Sequence, residues 1–293
     1  MGTRFVFLVP HIDFEKGDRV FNHIKKEVER IELLLSYFKS DSEVYKLNHR
    51  IKNNNLPISD ELFNIIEICN KYNILTEGMF DITLRPVIEY LQSATDERKL
   101  NENSFLETCG MDKVKLSKQE RTITFQNDFV KIDFGGFGKG YALGKIMEIL
   151  YNYYVTDAFI SFGESSVLGL GNHPNGNSWS VGIRKYNCIC PSNIKIELNN
   201  ESLSTSSNFT LSDNGSLRKR ISVLSPVTKC TVTSLKSISV KSKSPLEAEI
   251  LSTAFLVTEQ DHFTKLSGKF NVNYYIETFF NSARELNIYS EIN

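Results

Sequence analysis

The stretch IDFGGFGKGYALGKI, residues 132–146, holds five glycines and two lysines within fifteen positions. Residues 130–134 alternate like a strand, and residues 139–153 repeat their apolar side chains like a helix. Closely spaced glycines between a strand and a helix bring backbone N–H groups near an anion such as phosphate, and Lys139 could contact that anion. The spacing matches neither G-x-G-x-x-G nor a Walker A motif. Glycines also permit a tight turn with close packing, so the loop alone leaves both interpretations open.

The segments on either side of this stretch predict an α+β protein. Upstream we expect a strand over residues 3–9, an amphipathic helix over 14–38, a helix capped at Ser59 or Asp60, and a hairpin near VKLSKQERTITF, residues 114–125. Downstream, strand 157–162 precedes short strands and turns over 163–245, a mostly antiparallel pattern. A helix over 245–258 and a strand through FNVNYYIET, residues 270–278, follow. No linker or repeat interrupts the chain, which predicts one compact unit.

Composition excludes some partners and locations. The chain has 293 residues, 41% hydrophobic and 24% charged, with a formal net charge of −1, so we expect no nucleic-acid-binding surface. No apolar run reaches the ~18 residues of a membrane span. The start, MGTRFVFLVPHIDFEKG, lacks a signal-peptide cleavage site, which favours the cytoplasm. A periplasmic or lipoprotein location is the alternative if an export segment precedes Met1.

The stretch KSPLEAEILSTAFLV, residues 243–257, predicts a helix with a chemical face. Ser244 at the cap, Pro245 at the first helical position and Glu247 form a helix start. Glu249 and Thr253 are four residues apart and therefore share one face. A carboxylate and a hydroxyl on an apolar helix suit a hard cation such as Mg²⁺. Taken alone, a solvated Glu249 beside a Thr253 that packs between helices is the more common arrangement.

A third stretch, TEGMFDITLRPVI, covers residues 76–88. Gly78 ends the preceding helix, and Asp81 stands between two apolar residues. A single Asp in such a place is most often a turn or cap residue.

Taken together, these stretches resemble the ApbE family, the FAD:protein FMN transferases, over nearly the whole chain. Seven segments match family patterns in the same order: MGTRF (1–5), LLLSYFKSDSEVYKLN (33–48), EGMFDITLRPV (77–87), IDFGGFGKGYALGKI (132–146), SFGESSVLGLG with WSVGI (161–183), STSSNF (204–209) and AEILSTAF (248–255). No single segment is decisive, but seven in order are highly specific. The resemblance implies a mixed α/β roll with two intimately packed halves, forming one domain over residues 1–293.

The resemblance also implies a reaction. Family members bind FAD, and Mg²⁺ assists cleavage of its pyrophosphate. The FMN half then passes to a Thr or Ser hydroxyl in the flavinylation motif of an acceptor flavoprotein, and AMP leaves. Carried over to this sequence, the FAD site would comprise Met1, Phe38, Met79, Phe80, Asp81, Asp133 and Lys139. The metal would be held by the Gly138 carbonyl, Glu249 and Thr253.

The chain departs from the family at several of these positions. Glu249 stands where the family has Asp, and Gly144 replaces another Asp. Ser222 replaces the histidine thought to be the catalytic base, while Ser225 and Lys229 replace an Asp and a Gly. Three functions therefore stay open: an FMN transferase with weakened chemistry, an FAD-binding protein without transfer, and an FAD pyrophosphatase that releases FMN and AMP.

Overall fold

One seven-stranded antiparallel sheet, in the order β1-β5-β6-β9-β12-β13-β14, organises the fold. The computed structural model describes residues 3–51, 55–93, 109–183, 194–211, 217–220, 223–232, 234–280 and 283–285. Its strands are β1 (Phe5–Leu8), β2 (Leu56–Pro57), β3 (Val114–Ser117), β4 (Thr122–Phe125), β5 (Ala158–Phe162), β6 (Ser166–Leu170), β7 (Trp179–Ile183), β8 (Ile194–Leu198), β9 (Glu201–Ser207), β10 (Phe209–Leu211), β11 (Leu217–Lys219), β12 (Leu235–Ser242), β13 (Asn273–Phe280) and β14 (Ala283–Glu285). Smaller sheets are formed by β2-β4-β3, β7-β8 and β10-β11.

The helices pack on this sheet in layers. They are α1 (Phe14–Leu35), α2 (Glu43–Asn48), α3 (Asp60–Leu75), α4 (Arg85–Ser93), α5 (Gly138–Asn152), α6 (Pro245–Val257) and α7 (Gln260–Ser267). Helix α6 lies on β9 and β12, α5 lies on α6, and α1 lies on α5. None of the helices in the described ranges is long and apolar enough to cross a bilayer. The α+β prediction is confirmed, with one compact unit.

Helix α6 is fixed at both ends by side chains. The Ser244 hydroxyl accepts a bond from the Glu247 N–H at 3.3 Å, and Pro245 occupies the first turn, as the sequence predicts. At the other end the buried Lys236 ammonium, on β12, donates to the carbonyls of Phe255 and Thr258 at 3.3 and 2.9 Å. Burial lowers the pKa of Lys236 to about 8. The helix that carries Glu249 and Thr253 therefore has a defined position along its axis.

Most predicted elements are confirmed, but the strand expected at residues 130–134 is wrong. This segment joins no sheet, although the Asp133 N–H donates to the Ile82 carbonyl at 2.8 Å. The Ile132 N–H donates to the Asn48 side-chain oxygen at 2.9 Å, and the Asn48 amide donates to the Ile132 carbonyl at 2.8 Å. The side chain of Asn48 thus supplies the pair of bonds that a neighbouring strand would give. Val130, Ile132 and Phe134 remain buried, which explains the strand-like alternation.

Candidate active site

The carboxylate of Glu249 is the most buried charge among the predicted site residues, at 3% exposure. One of its oxygens, Oε2, accepts bonds from the hydroxyls of Ser166 and Ser204 at 2.6 and 2.8 Å. These serines lie directly opposite each other on β6 and β9. The other oxygen, Oε1, accepts a bond from the Lys139 ammonium at 2.6 Å. The alternative of a solvated Glu249 is therefore wrong.

Two glycines of this stretch, Gly136 and Gly140, serve close packing against α6. A Cβ at Gly136 would lie 2.9 Å from the Thr253 hydroxyl, and one at Gly140 would lie 2.6 Å from the Glu249 Cβ. Thr253 itself donates to the Glu249 carbonyl at 3.1 Å and so packs between the loop and its own helix. Because α5 packs closely on α6, Lys139 at the start of α5 contacts the buried carboxylate of Glu249. The packing interpretation of the glycines is confirmed, and it also explains how the charged residues meet.

Asp133 and Arg85 form a second charged pair beside the loop. Asp133 accepts a bond from the Gly135 N–H at 2.9 Å, and its other oxygen lies 3.5 Å from an Arg85 guanidinium nitrogen. Burial raises the pKa of Asp133, and the Arg85 charge partly offsets this. The guanidinium carbon of Arg85 lies 4.6 Å from the ring centre of Tyr37 and 5.0 Å from that of Phe38.

Asp81 has the local role that its sequence context favours. Its Oδ1 accepts bonds from both the N–H and the hydroxyl of Thr83, at 2.7 and 2.6 Å. This arrangement fixes the turn that precedes α4. Asp81 nevertheless also faces the cavity described next.

A cavity of about 920 Å³ joins these groups. It lies between the glycine loop, the α6 face and the inner strands of the main sheet. Its volume is at the upper end of the range for small-molecule sites, which suits a ligand as large as a dinucleotide. Five of the predicted site residues line it: Asp81, Asp133, Lys139, Glu249 and Thr253.

Other predicted residues lie elsewhere. Phe80 is buried in the main core, and Met79 packs between that core and the cluster around α6 and α7. Phe38 is 72% exposed and reaches the cavity only through its contact with Arg85. Gly138 begins α5 and does not line the cavity. Met1 and Ser222 lie outside the described residues, so their roles stay predictions.

Sequence reasoning missed several polar residues of this site, among them Arg85, Ser166 and Ser204. Ser204 had a visible signal, because Ser202, Ser204 and Ser206 alternate along one strand and so share a face. Arg85 gave no such signal, since an Arg at the start of a helix is common on a protein surface.

Two groups common in enzyme sites are not found around the cavity. None of the five histidines lines it, although all five lie in the described residues. Over the same described ranges, no cluster of three or more His, Cys, Asp or Glu side chains is placed to hold a metal. A metal at Glu249 and Thr253 would therefore need ligands of other kinds, such as hydroxyl, carbonyl and phosphate oxygens.

Comparison with known proteins identifies the family of this chain. The model of the ApbE family matches residues 1–276. The chain belongs to the ApbE family. Among curated relatives, "FAD:protein FMN transferase" of Buchnera aphidicola is 28% identical over 267 residues, 88% of this chain and 77% of that protein. The protein of the same name from Haemophilus influenzae is 22% identical over 295 residues, 94% and 84% of the two chains.

Solved structures of ApbE proteins share the fold. "Flavin Transferase ApbE from Vibrio cholerae" superposes with a TM-score of 0.83 at 16% identity, over 98% of this chain and 94% of that one. The ApbE protein of Thermotoga maritima gives a TM-score of 0.80 at 22% identity, over 99% and 94%. The predicted family membership and fold are confirmed.

One departure from the ApbE pattern has a structural consequence. Lys229, which stands where the resemblance places a glycine, has φ +57°. This left-handed conformation favours glycine. The Lys229 N–H donates to the Ser225 carbonyl at 2.8 Å, and the Ser225 N–H donates to the Cys230 carbonyl at 2.9 Å. The turn next to Ser222 thus keeps a conformation that suits glycine although its residues have changed.

Proposed function

We propose that this chain is an FAD:protein FMN transferase. It binds FAD in the cavity and passes the FMN half to a Thr or Ser hydroxyl of an acceptor flavoprotein, with release of AMP. The observation that carries the proposal is the meeting of Lys139 and Glu249, 110 residues apart in sequence, on a cavity that Asp133 also lines. Curated relatives that bear this name and align with most of the chain support it.

The diphosphate of FAD fits best beside the glycine loop. Gly135, Gly136 and Lys139 line the cavity there, and α5 begins at Gly138 with no side-chain cap. A helix start offers N–H groups and a positive dipole end to an anion, and the Lys139 ammonium adds a full charge. Arg85, beside the aromatic rings of Tyr37 and Phe38, is a second cation on this cavity.

Magnesium fits the donors at Glu249 and Thr253. The Glu249 carboxylate, the Thr253 hydroxyl and phosphate oxygens are hard ligands of the kind Mg²⁺ prefers. The family resemblance adds the Gly138 carbonyl, although Gly138 itself does not line the cavity. When bound, the ion would neutralise negative charge on the phosphates. In the ligand-free arrangement Lys139 neutralises Glu249 instead.

We expect transfer to be slow. The acceptor hydroxyl must lose its proton as it attacks phosphorus, and a positioned base contributes about 10²–10⁴-fold to such a step. Serine at position 222 is no more acidic than the acceptor hydroxyl and cannot supply this. Alignment and charge neutralisation by Lys139 and its neighbours still support residual turnover, because they carry much of phosphoryl transfer.

Incubation of the protein with FAD and Mg²⁺, with and without an acceptor peptide, tests the proposal. A flavin-labelled peptide supports the transferase. Retained FAD without turnover would instead favour a binding protein, and FMN plus AMP without peptide labelling would favour a pyrophosphatase. The absence of a histidine from the cavity lining favours the first of these alternatives, because attack by water also needs a base.

A restored base gives a sharper test. The double change Ser222→His with Ser225→Asp should raise the transfer rate, since the adjacent turn keeps a glycine-like conformation at Lys229. Single-turnover labelling of the peptide measures the rate. If Ser222→Ala and the double variant both leave it unchanged, this protein finds its base elsewhere.

A further inference from the structure

The ion pair between Lys139 and Glu249 lines the cavity. The ammonium lies 2.6 Å from Oε1, and the side chains are 25% and 4% exposed. The second carboxylate oxygen is held by Ser166 and Ser204. Each oxygen of Glu249 therefore already has a donor when no ligand is bound.

A divalent cation would compete with the Lys139 ammonium for the Glu249 carboxylate. Mg²⁺ binds carboxylate oxygen at about 2.0–2.1 Å, inside the contact distance of an ammonium group. The two serine hydroxyls of the sheet hold Oε2, so Oε1, whose partner is the Lys139 ammonium, is the oxygen that a cavity ligand can compete for. Two cations on one oxygen repel each other, so the metal can bind Oε1 only when Lys139 leaves it.

A diphosphate supplies the reason for Lys139 to leave. Lys139 lines the cavity together with Gly135 and Gly136. A phosphate oxygen beside this loop offers the ammonium a new anionic partner, because long, flexible Lys side chains exchange partners easily. Glu249 would then be free to serve as a metal ligand through Oε1, and the metal would supply charge neutralisation.

We propose that Lys139 is the internal counter-ion of Glu249 and makes divalent-cation binding conditional on a diphosphate. The inference rests on the proposed function for the identity of the cavity's ligands. The metal and the diphosphate bind together more tightly than either binds alone. Because such coupling is reciprocal, each ligand raises the affinity of the other by the same factor.

Mn²⁺ in place of Mg²⁺, and ADP as a diphosphate without flavin, test this coupling. Equilibrium dialysis with equal ADP in both chambers measures protein-bound Mn²⁺. For the wild type we expect Mn²⁺ to bind at least tenfold more tightly with ADP than without it. In Lys139→Met, Mn²⁺ should bind without ADP at least tenfold more tightly than in the wild type.

Two controls locate the effect. Lys145 lies on the same helix but pairs with the exposed Glu148 at 2.9 Å, so Lys145→Met should behave as the wild type. Glu249→Gln should lose the Mn²⁺ site with and without ADP. If Lys139→Met is too unstable to purify, calorimetry on the wild type alone gives the reciprocal measurement, the gain in ADP affinity caused by Mn²⁺.

Equal Mn²⁺ affinity with and without ADP in the wild type would overturn the inference. Lys139→Met that binds Mn²⁺ no better than the wild type would overturn it as well. Neither measurement involves flavin. A protein that couples Mn²⁺ to ADP but never labels an acceptor contradicts only the proposed function, and one that labels the acceptor without coupling contradicts only this inference.

Discussion

Replacement of Gly140 by alanine should destabilise the protein, whereas the same change at Gly144, one turn further along α5, should stabilise it. At Gly140 the new Cβ would lie 2.6 Å from the Glu249 Cβ, 2.7 Å from the Pro245 carbonyl and 3.0 Å from the Leu246 Cα. At Gly144 no atom lies within 4 Å of the new Cβ. The two positions therefore share a helix and a substitution but differ in the space available.

The magnitudes follow from two opposing effects. Alanine is about 1 kcal/mol more favourable than glycine inside a helix, and this gain applies at both positions. At Gly140 the contacts include backbone atoms that cannot rotate away, and carbon atoms pack at about 3.5–4.0 Å, so α5 and α6 must separate by roughly 1 Å. Overpacking of this kind costs about 1–3 kcal/mol, occasionally more. We expect Gly144→Ala to raise the free energy of unfolding by about 1 kcal/mol and Gly140→Ala to lie about 1–3 kcal/mol below Gly144→Ala.

Urea unfolding followed by far-UV circular dichroism measures both free energies on the same scale. Separation of the helices also moves Glu249 away from Lys139, so Gly140→Ala should lose FAD affinity while Gly144→Ala retains it. A Gly140→Ala protein as stable as Gly144→Ala would refute the close approach of α5 to α6, and with it the packing on which the site is built.

Three further changes test other contacts. Burial lowers the pKa of Lys236 from 10.5 to about 8. Between these two pH values the unfolded chain binds more protons than the folded protein, so the free energy of unfolding rises with pH, by at most about 1.4 kcal/mol per pH unit. Lys236→Met should remove this rise, and parallel pH profiles of the two proteins would contradict the burial of a neutral Lys236. Lys229→Gly should stabilise the protein by about 0.5–1 kcal/mol in urea unfolding, because it relieves the left-handed conformation but increases the entropy of the unfolded chain. Asn48→Ala should lower the free energy of unfolding by about 2–4 kcal/mol, because it leaves two buried backbone groups of Ile132 unpaired. A rate of hydrogen exchange at the Ile132 N–H that does not change in this variant would contradict the role of Asn48.

The helices were predicted well because the features that define a helix, its cap and its apolar spacing, lie within a few residues of one another in sequence. Ser59 and Ser244 accept bonds from the N–H groups three residues on, and apolar spacing alone was sufficient for α1. The segment before the glycine loop was misassigned for the opposite reason. Its partners are the Asn48 side chain, 84 residues away in sequence, and the Ile82 carbonyl, and no local pattern distinguishes such partners from a strand.

The site was partly predictable for a related reason. Asp133, Lys139 and Glu249 came from motifs, and the structure brings all three to the cavity. The burial of Glu249 was not predictable, because Lys139, Ser166 and Ser204 supply it from distant parts of the chain. The sequence around a single Glu on an apolar helix does not predict which distant residues will bind its carboxylate.

The two sides of the cavity are held by different kinds of contact. Glu249 is anchored by paired serines on β6 and β9, inside the main sheet, so it moves only when the sheet itself unfolds. The segment before the glycine loop has no strand ladder. It is held by the Asn48 amide, by the bond from the Asp133 N–H to the Ile82 carbonyl at 2.8 Å, and by the burial of its apolar side chains. Local opening therefore costs less free energy on the loop side than at the carboxylate.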